Sequence, residues 1–123
     1  MDGGLPAALP ALAARAGIPV ELTVTTGRQP PAVEAAIYFL CSEALANAAK
    51  HAQASRVSIT VSEHRGGLRI AIADDGVGGA DPARGSGLRG LADRMEALGG
   101  GLSVESPPRR GTRLVADVDV HAG

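Results

Sequence analysis

Glu43, Asn47, Lys50 and His51 stand in SEALANAAKHA, residues 42–52, a stretch otherwise made mostly of alanine. At about 100° of rotation per helical residue, Glu43, Asn47 and His51 drift only about 40° per step, and Lys50 falls beside them. An acid, an amide and two basic groups thus share one helical stripe, which is either a solvated face or one wall of a site. Asp74 raises a sharper question. It ends LRIAIAD, whose Leu68, Ile70 and Ile72 are placed to face a core. A carboxylate there is costly to bury without a partner, and an amino group on a ligand base would be one. Gly76 and Gly78 of DDGVGG leave room for a flat ring against the backbone, although an ordinary Asp-Gly turn would read the same way. Farther on, Gly85, Ser86 and Gly87 open a helix. First-turn N–H groups lack intrahelical partners and favour anions, and glycine lets phosphate oxygens approach the backbone. The chemistry would be a phosphate cradle without a lysine. The competing reading is a flexible loop and a helix start.

Two other nucleotide motifs fit poorly. GSGLRG (85–90) matches the letters of the dinucleotide fingerprint, and Glu105 lies near the distance of a ribose-binding acid. That fingerprint requires a strand running directly into its first glycine, whereas here a polar loop intervenes after Asp74. A P-loop requires lysine after glycine, and the only lysine is Lys50.

The elements that must hold these groups follow from periodicity. IPVELTVT (18–25), VSITVSE (57–63) and LRIAIAD (68–74) alternate as strands, with His64–Gly67 as a hairpin loop. Residues 31–52 form the longest predicted helix, with Pro31 in its first turn and Val33, Ile37, Leu40, Ala44 and Ala48 on its buried side. Cys41 is expected in the core. Leu88, Leu91, Met95 and Leu98 mark another helix, ended by glycines at 99–101, and GLSVES and TRLVADVDV are two more strands. A short helix from about Ala11 to Ala16 is expected near the start, because Pro10 would disrupt one running through it. His64 and His121 read as solvated loop and tail residues. The order α, β, α, β, β, loop, α, β, β predicts a two-layer α/β sandwich: a mixed, mostly antiparallel sheet with helices on one face.

Composition narrows the function. The chain has 123 residues, 45% of them apolar, which suits one domain with a buried core. Aromatics are 2% and the formal charge is −1, so neither base stacking nor phosphate neutralisation supports nucleic-acid binding. A single cysteine excludes an internal disulfide and a cysteine zinc site. No apolar run is expected to reach the roughly 20 residues of a membrane span. No signal peptide is legible, and a cytoplasmic domain is the plain expectation.

Taken together, the motifs have a family likeness. An E-x-x-x-N-x-x-K-H helix, D-x-G-x-G, G-x-G-L-x-G-L and a G-T before the last strand occur in order. The chain resembles the ATP-binding catalytic domain of two-component sensor histidine kinases, in the Bergerat-fold (GHKL) family shared with gyrase, heat-shock ninety chaperones and mismatch-repair ATPases. GLRGLADRMEALGG is similar in particular to the nitrate-sensor-like subfamily. The resemblance covers about residues 18–120, with 1–17 as a joining segment and 121–123 as a tail. It implies ATP and Mg²⁺ as cofactors. Asp74 would accept a hydrogen bond from the adenine amino group, Gly76 and Gly78 would shape the pocket, and Thr112 would assist. Asn47 would coordinate Mg²⁺, while Gly85, Gly87 and Leu88 would offer backbone N–H groups to the phosphates. Lys50 and His51 would lie near the phosphates or ribose, Glu43 would polarise or deprotonate the accepting histidine, and Val77–Ser86 would form a lid. That histidine belongs on a separate dimerisation domain, because none of His51, His64 or His121 has the expected setting. A response regulator would act downstream. The isolated domain is expected to be monomeric, without nucleic-acid or direct membrane contact. The resemblance also admits a stand-alone serine kinase of the anti-sigma-factor type. A non-catalytic module that has lost ATP binding is disfavoured by the intact Glu43, Asn47, Asp74 and glycine set.

Overall fold

Alternating apolar residues fold into a five-stranded sheet in the computed structural model, which describes residues 3–50, 54–77, 88–106 and 111–119, without the side chains of Lys50 and Leu88. The described elements are α1 (Leu5–Ala14), β1 (Val20–Val24), α2 (Pro31–Lys50), β2 (Val57–His64), β3 (Gly67–Asp74), α3 (Leu88–Ala97), β4 (Gly101–Glu105) and β5 (Thr112–Val118). Their spatial order is β1-β2-β3-β5-β4. β1 runs parallel to β2, as the α2 crossover allows, and the other neighbours are antiparallel. β5 therefore inserts between β3 and β4, and Asp74 pairs in register with Thr112. The expected mixed, mostly antiparallel α/β sandwich is the observed fold.

Strand alternation decides which face is covered. Val57, Ile59, Val61, Ile70, Ile72, Leu114 and Ala116 are buried on one face, together with Val33, Ile37, Leu40, Ala44 and Ala48 of α2 and Leu91 and Met95 of α3. Thr23, Thr60, Ser103 and Arg113 lie on the other face, exposed. Cys41 is in the core as expected, and burial pushes its thiol up to about 12. Arg94 of α3 stacks on the ring of Phe39 of α2, 4.4 Å from its centroid. β2 and β3 turn through Arg65 and Gly66, whose φ angles of 52° and 82° suit the positive-φ hairpin turn that matches strand twist. His64 is thus the half-buried last residue of β2 rather than part of a solvated loop.

Two further expectations are corrected. The first helix spans Leu5–Ala14 with Pro10 inside it, and does not begin near Ala11. Pro10 removes one helical hydrogen bond, at a cost of about 3 kcal/mol. Leu5 and Leu9 are fully buried, and each contributes about 1.5–3 kcal/mol, enough to offset that loss. Residues of the expected joining segment therefore belong to this domain's core. Second, α2 is long and apolar enough to cross a membrane by length and composition alone. Its many alanines carry it past that test, while its buried side lies in the core with the sheet.

A polar cluster forms around the buried Glu34 in the first turn of α2. The Glu34 carboxylate, its side chain 3% exposed, accepts hydrogen bonds from Arg28 Nε at 3.1 Å and Arg28 Nη2 at 3.3 Å, and from the Gln29 N–H at 3.2 Å. Gln29 Nε2 in turn donates to Thr26 Oγ1 at 2.9 Å. The Arg28 bonds, against the opposing effect of burial, hold the Glu34 carboxyl below its usual value. A depressed folded-state value adds stability that is complete above the unfolded-state value and is lost as pH falls toward the folded one. Glu34→Gln is expected to cost about 1–3 kcal/mol at neutral pH, toward the low end because Arg28 is 59% exposed. It should also flatten the acid limb of the stability curve. Urea denaturation of both proteins across the carboxylate range checks this, and parallel curves would refute it.

Candidate functional site

The site is built where α2, β3 and the start of β5 end. Glu43 and Asn47 lie four residues apart on α2, hence on one face, and both are half-buried. Leu40, Ala44 and Ala48 beside them are buried, so the stripe borders the core. Lys50 is the last residue of α2, and His51 lies outside the described residues, as do Gly78, Gly85 and Gly87. Leu88 opens α3, where its main-chain N–H belongs to the unpartnered first turn. The expected lid and glycine cradle thus fall almost wholly outside the described residues.

Asp74 shares strand parity with Ile70 and Ile72, which directs it to the helix side of the sheet. It is half-buried, between Val57 of β2 and Thr112 of β5 in register. Its Oδ1 accepts the N–H of Gly76 at 2.8 Å, and Gly76 is buried. Among the described residues no group bonds Oδ2. One carboxylate oxygen is therefore oriented by the chain and the other can accept from a donor. Thr112 is half-buried, with its Oγ1 2.6 Å from the Ser106 hydroxyl. The sequence expectations for Asp74, Gly76 and Thr112 are brought together at adjacent strand ends.

Two neighbours, Ser106 and Asp75, escaped the sequence reading, and a third, Gly111, entered it only as the glycine of the G-T before the last strand. Gly111 has φ +77°, and a Cβ on it would lie 2.1 Å from the Asp74 carbonyl oxygen. Ser106 holds the Thr112 hydroxyl. Asp75, exposed, accepts the Ser55 N–H at 2.8 Å and the Arg56 N–H at 3.1 Å on Oδ1, and the Ser55 hydroxyl on Oδ2. The Ser55 hydroxyl bond and then the Arg56 N–H hold the Asp75 carboxyl below its usual value. A signal for Asp75 was legible: counted back from the hairpin turn, the β2–β3 register brings Arg56 opposite it.

The arrangement offers a carboxylate oxygen and a hydroxyl at two strand ends, beside a helix with an acid and an amide. Residues 32–122 match the family model described as histidine kinase-, DNA gyrase B-, and HSP90-like ATPase. The chain is 34% identical over 96 residues to the signal transduction histidine-protein kinase/phosphatase DegS of Brevibacillus brevis, covering 76% of this chain and 25% of that protein. It is 33% identical over 92 residues to the oxygen sensor histidine kinase NreB of Staphylococcus carnosus, covering 72% and 26%. It thus spans about a quarter of each of these curated relatives. Among solved structures it is similar to the histidine kinase domain of the Erythrobacter litoralis EL346 blue-light activated histidine kinase, at 28% identity and TM-score 0.78, over 91% of this chain and 57% of that one. It is also similar to the ATP binding domain of PrrB from Mycobacterium tuberculosis, at 29% identity and TM-score 0.68, over 97% and 92%.

Proposed function

The chain belongs to the histidine kinase-, DNA gyrase B- and HSP90-like ATPase family, and on that premise we propose that it binds MgATP and passes the γ-phosphoryl group to a histidine on a separate helical dimerisation domain. A response regulator would then receive the phosphoryl group, and the domain would work in the cytoplasm, where ATP is supplied. The observation that carries the reading is Asp74, with one oxygen fixed by Gly76 and the other able to accept from an adenine amino group. Thr112 pairs in register with Asp74, and with Gly76 and Gly78 it would complete the base pocket.

Phosphoryl transfer is chiefly positioning and charge neutralisation. Backbone N–H groups of Gly85, Gly87 and Leu88 would hold phosphate oxygens, with Lys50 and His51 adding positive charge near the phosphates or ribose. Glu43 would draw the proton from the attacking histidine nitrogen. Asn47 would give an amide oxygen to Mg²⁺. Among the described residues no group of three or more acidic, histidine or cysteine side chains could hold a metal. A single amide oxygen suits a hard cation that keeps water and phosphate oxygens as most of its ligands. Bound there, Mg²⁺ would neutralise phosphate charge.

Asp74→Asn tests the reading. The amide oxygen can still accept the Gly76 N–H, so the fold should persist, but an NH₂ then meets the adenine amino group, donor against donor. Calorimetric titration with MgATP should show affinity reduced roughly 10- to 100-fold, the worth of a hydrogen bond to a charged group. Undiminished affinity would mean that Asp74 does not read the base.

A further inference from the structure

Asp75 lies next to the proposed base-reading residue, and nothing in the proposed chemistry uses it. Its contacts reach well beyond a local turn. Both oxygens are engaged, and all three donors come from Ser55 and Arg56, in the segment returning from α2 to β2. That segment is itself tied to α2, because the Ala54 N–H donates to the Ala48 carbonyl at 3.1 Å and Ala54 is buried. Ala48 directly follows Asn47. A short chain of hydrogen bonds therefore runs from the end of β3, through Asp75, Ser55 and Ala54, to the last turn of α2.

We propose that Asp75 is a positioning residue that sets the base-reading carboxylate of Asp74 at a fixed distance from the phosphate-facing groups of α2, Asn47 among them. The inference rests on the nucleotide reading of the site. ATP reaches both ends at once, so its affinity depends on the spacing between them. A nucleotide whose base Asp74 cannot read gains nothing from that spacing. The latch differs from an ordinary surface ion pair because two of its three donors are main-chain N–H groups, which leave little freedom in the geometry. It also predicts which substitution matters. Oδ1 accepts both main-chain bonds, and an asparagine oxygen can do the same while its NH₂ donates to the Ser55 hydroxyl. Alanine can make none of these bonds.

The experiment titrates MgATP and MgGTP into the native domain and into Asp75→Ala, Asp75→Asn, Ser55→Ala and Asp74→Asn, with urea denaturation of each. Asp75→Ala should lower MgATP affinity roughly 3- to 10-fold, the worth of about one net hydrogen bond, and narrow the preference for MgATP over MgGTP by the same factor. MgGTP affinity should not change. Asp75→Asn should restore MgATP affinity to near the native level, and Ser55→Ala should fall between. Equal loss for both nucleotides, or a lowered urea midpoint with an unchanged MgATP to MgGTP ratio, would show that Asp75 only stabilises the fold and would overturn the proposal. If Asp74→Asn weakens MgATP while Asp75→Ala does not, the positioning role fails and the base reading survives. If Asp74→Asn has no effect, both fall together.

Discussion

Replacing Glu43 by glutamine is expected to slow phosphoryl transfer roughly 100- to 10,000-fold, the usual worth of a positioned general base. Glutamine has nearly the same shape and helix propensity, so α2 should form as before. Glu43 is half-buried one turn before Asn47 and on the same face, so it can act on an acceptor brought to the phosphate end of the nucleotide. The measurement is the initial rate of phosphohistidine formation, with MgATP and the histidine-bearing dimerisation domain joined to or mixed with this domain. MgATP affinity, measured beside it, should stay the same. A native rate in the variant would remove Glu43 from proton transfer. Loss of nucleotide affinity together with rate would assign it to holding the ligand instead.

The second large effect is one of architecture. Gly111→Ala forces a residue with φ +77° to carry a Cβ 2.1 Å from the Asp74 carbonyl oxygen. The left-handed conformation costs about 1–2 kcal/mol, and overpacking adds about 1–3. The expected loss of stability is thus about 2–5 kcal/mol, read as a lower urea midpoint. Because Thr112 follows directly and pairs with Asp74, the same change should push those two residues apart and weaken MgATP binding. Gly90→Ala is the control. Gly90 lies exposed inside α3 with nothing within 4 Å of an added Cβ, so alanine there should stabilise by about 0.5–1 kcal/mol. A Gly111→Ala domain with the native midpoint would contradict the close approach of β5 to Asp74.

Much of this site is legible in the chain itself because its signals are local. Period-two alternation placed Leu68, Ile70 and Ile72 inward, and Asp74 shares their parity, so its direction follows from the strand alone. The stripe of Glu43 and Asn47 follows in the same way from helical periodicity. Even Asp75 could have been placed, since a two-residue hairpin turn sets the β2–β3 register back to Val57 opposite Asp74. The first helix was misread for the opposite reason. The proline penalty is local and visible, but the burial of Leu5 and Leu9 that offsets it comes from contacts with other elements.

The sequence by itself determined the order in which the motifs arrive and, among the described residues, the parity that turns Asp74 toward the helices and the stripe that Glu43 and Asn47 share on α2. The tertiary structure alone decided their neighbours. β4 precedes β5 in the chain, yet β5 is the strand that pairs with β3. That exchange brings Gly111 against the Asp74 carbonyl and pairs Thr112, held by Ser106, with Asp74 in register. Periodicity records whether a residue points inward or outward. It does not record which distant strand will form the adjoining ladder, because that choice is made by the packing of the whole sheet against its helices.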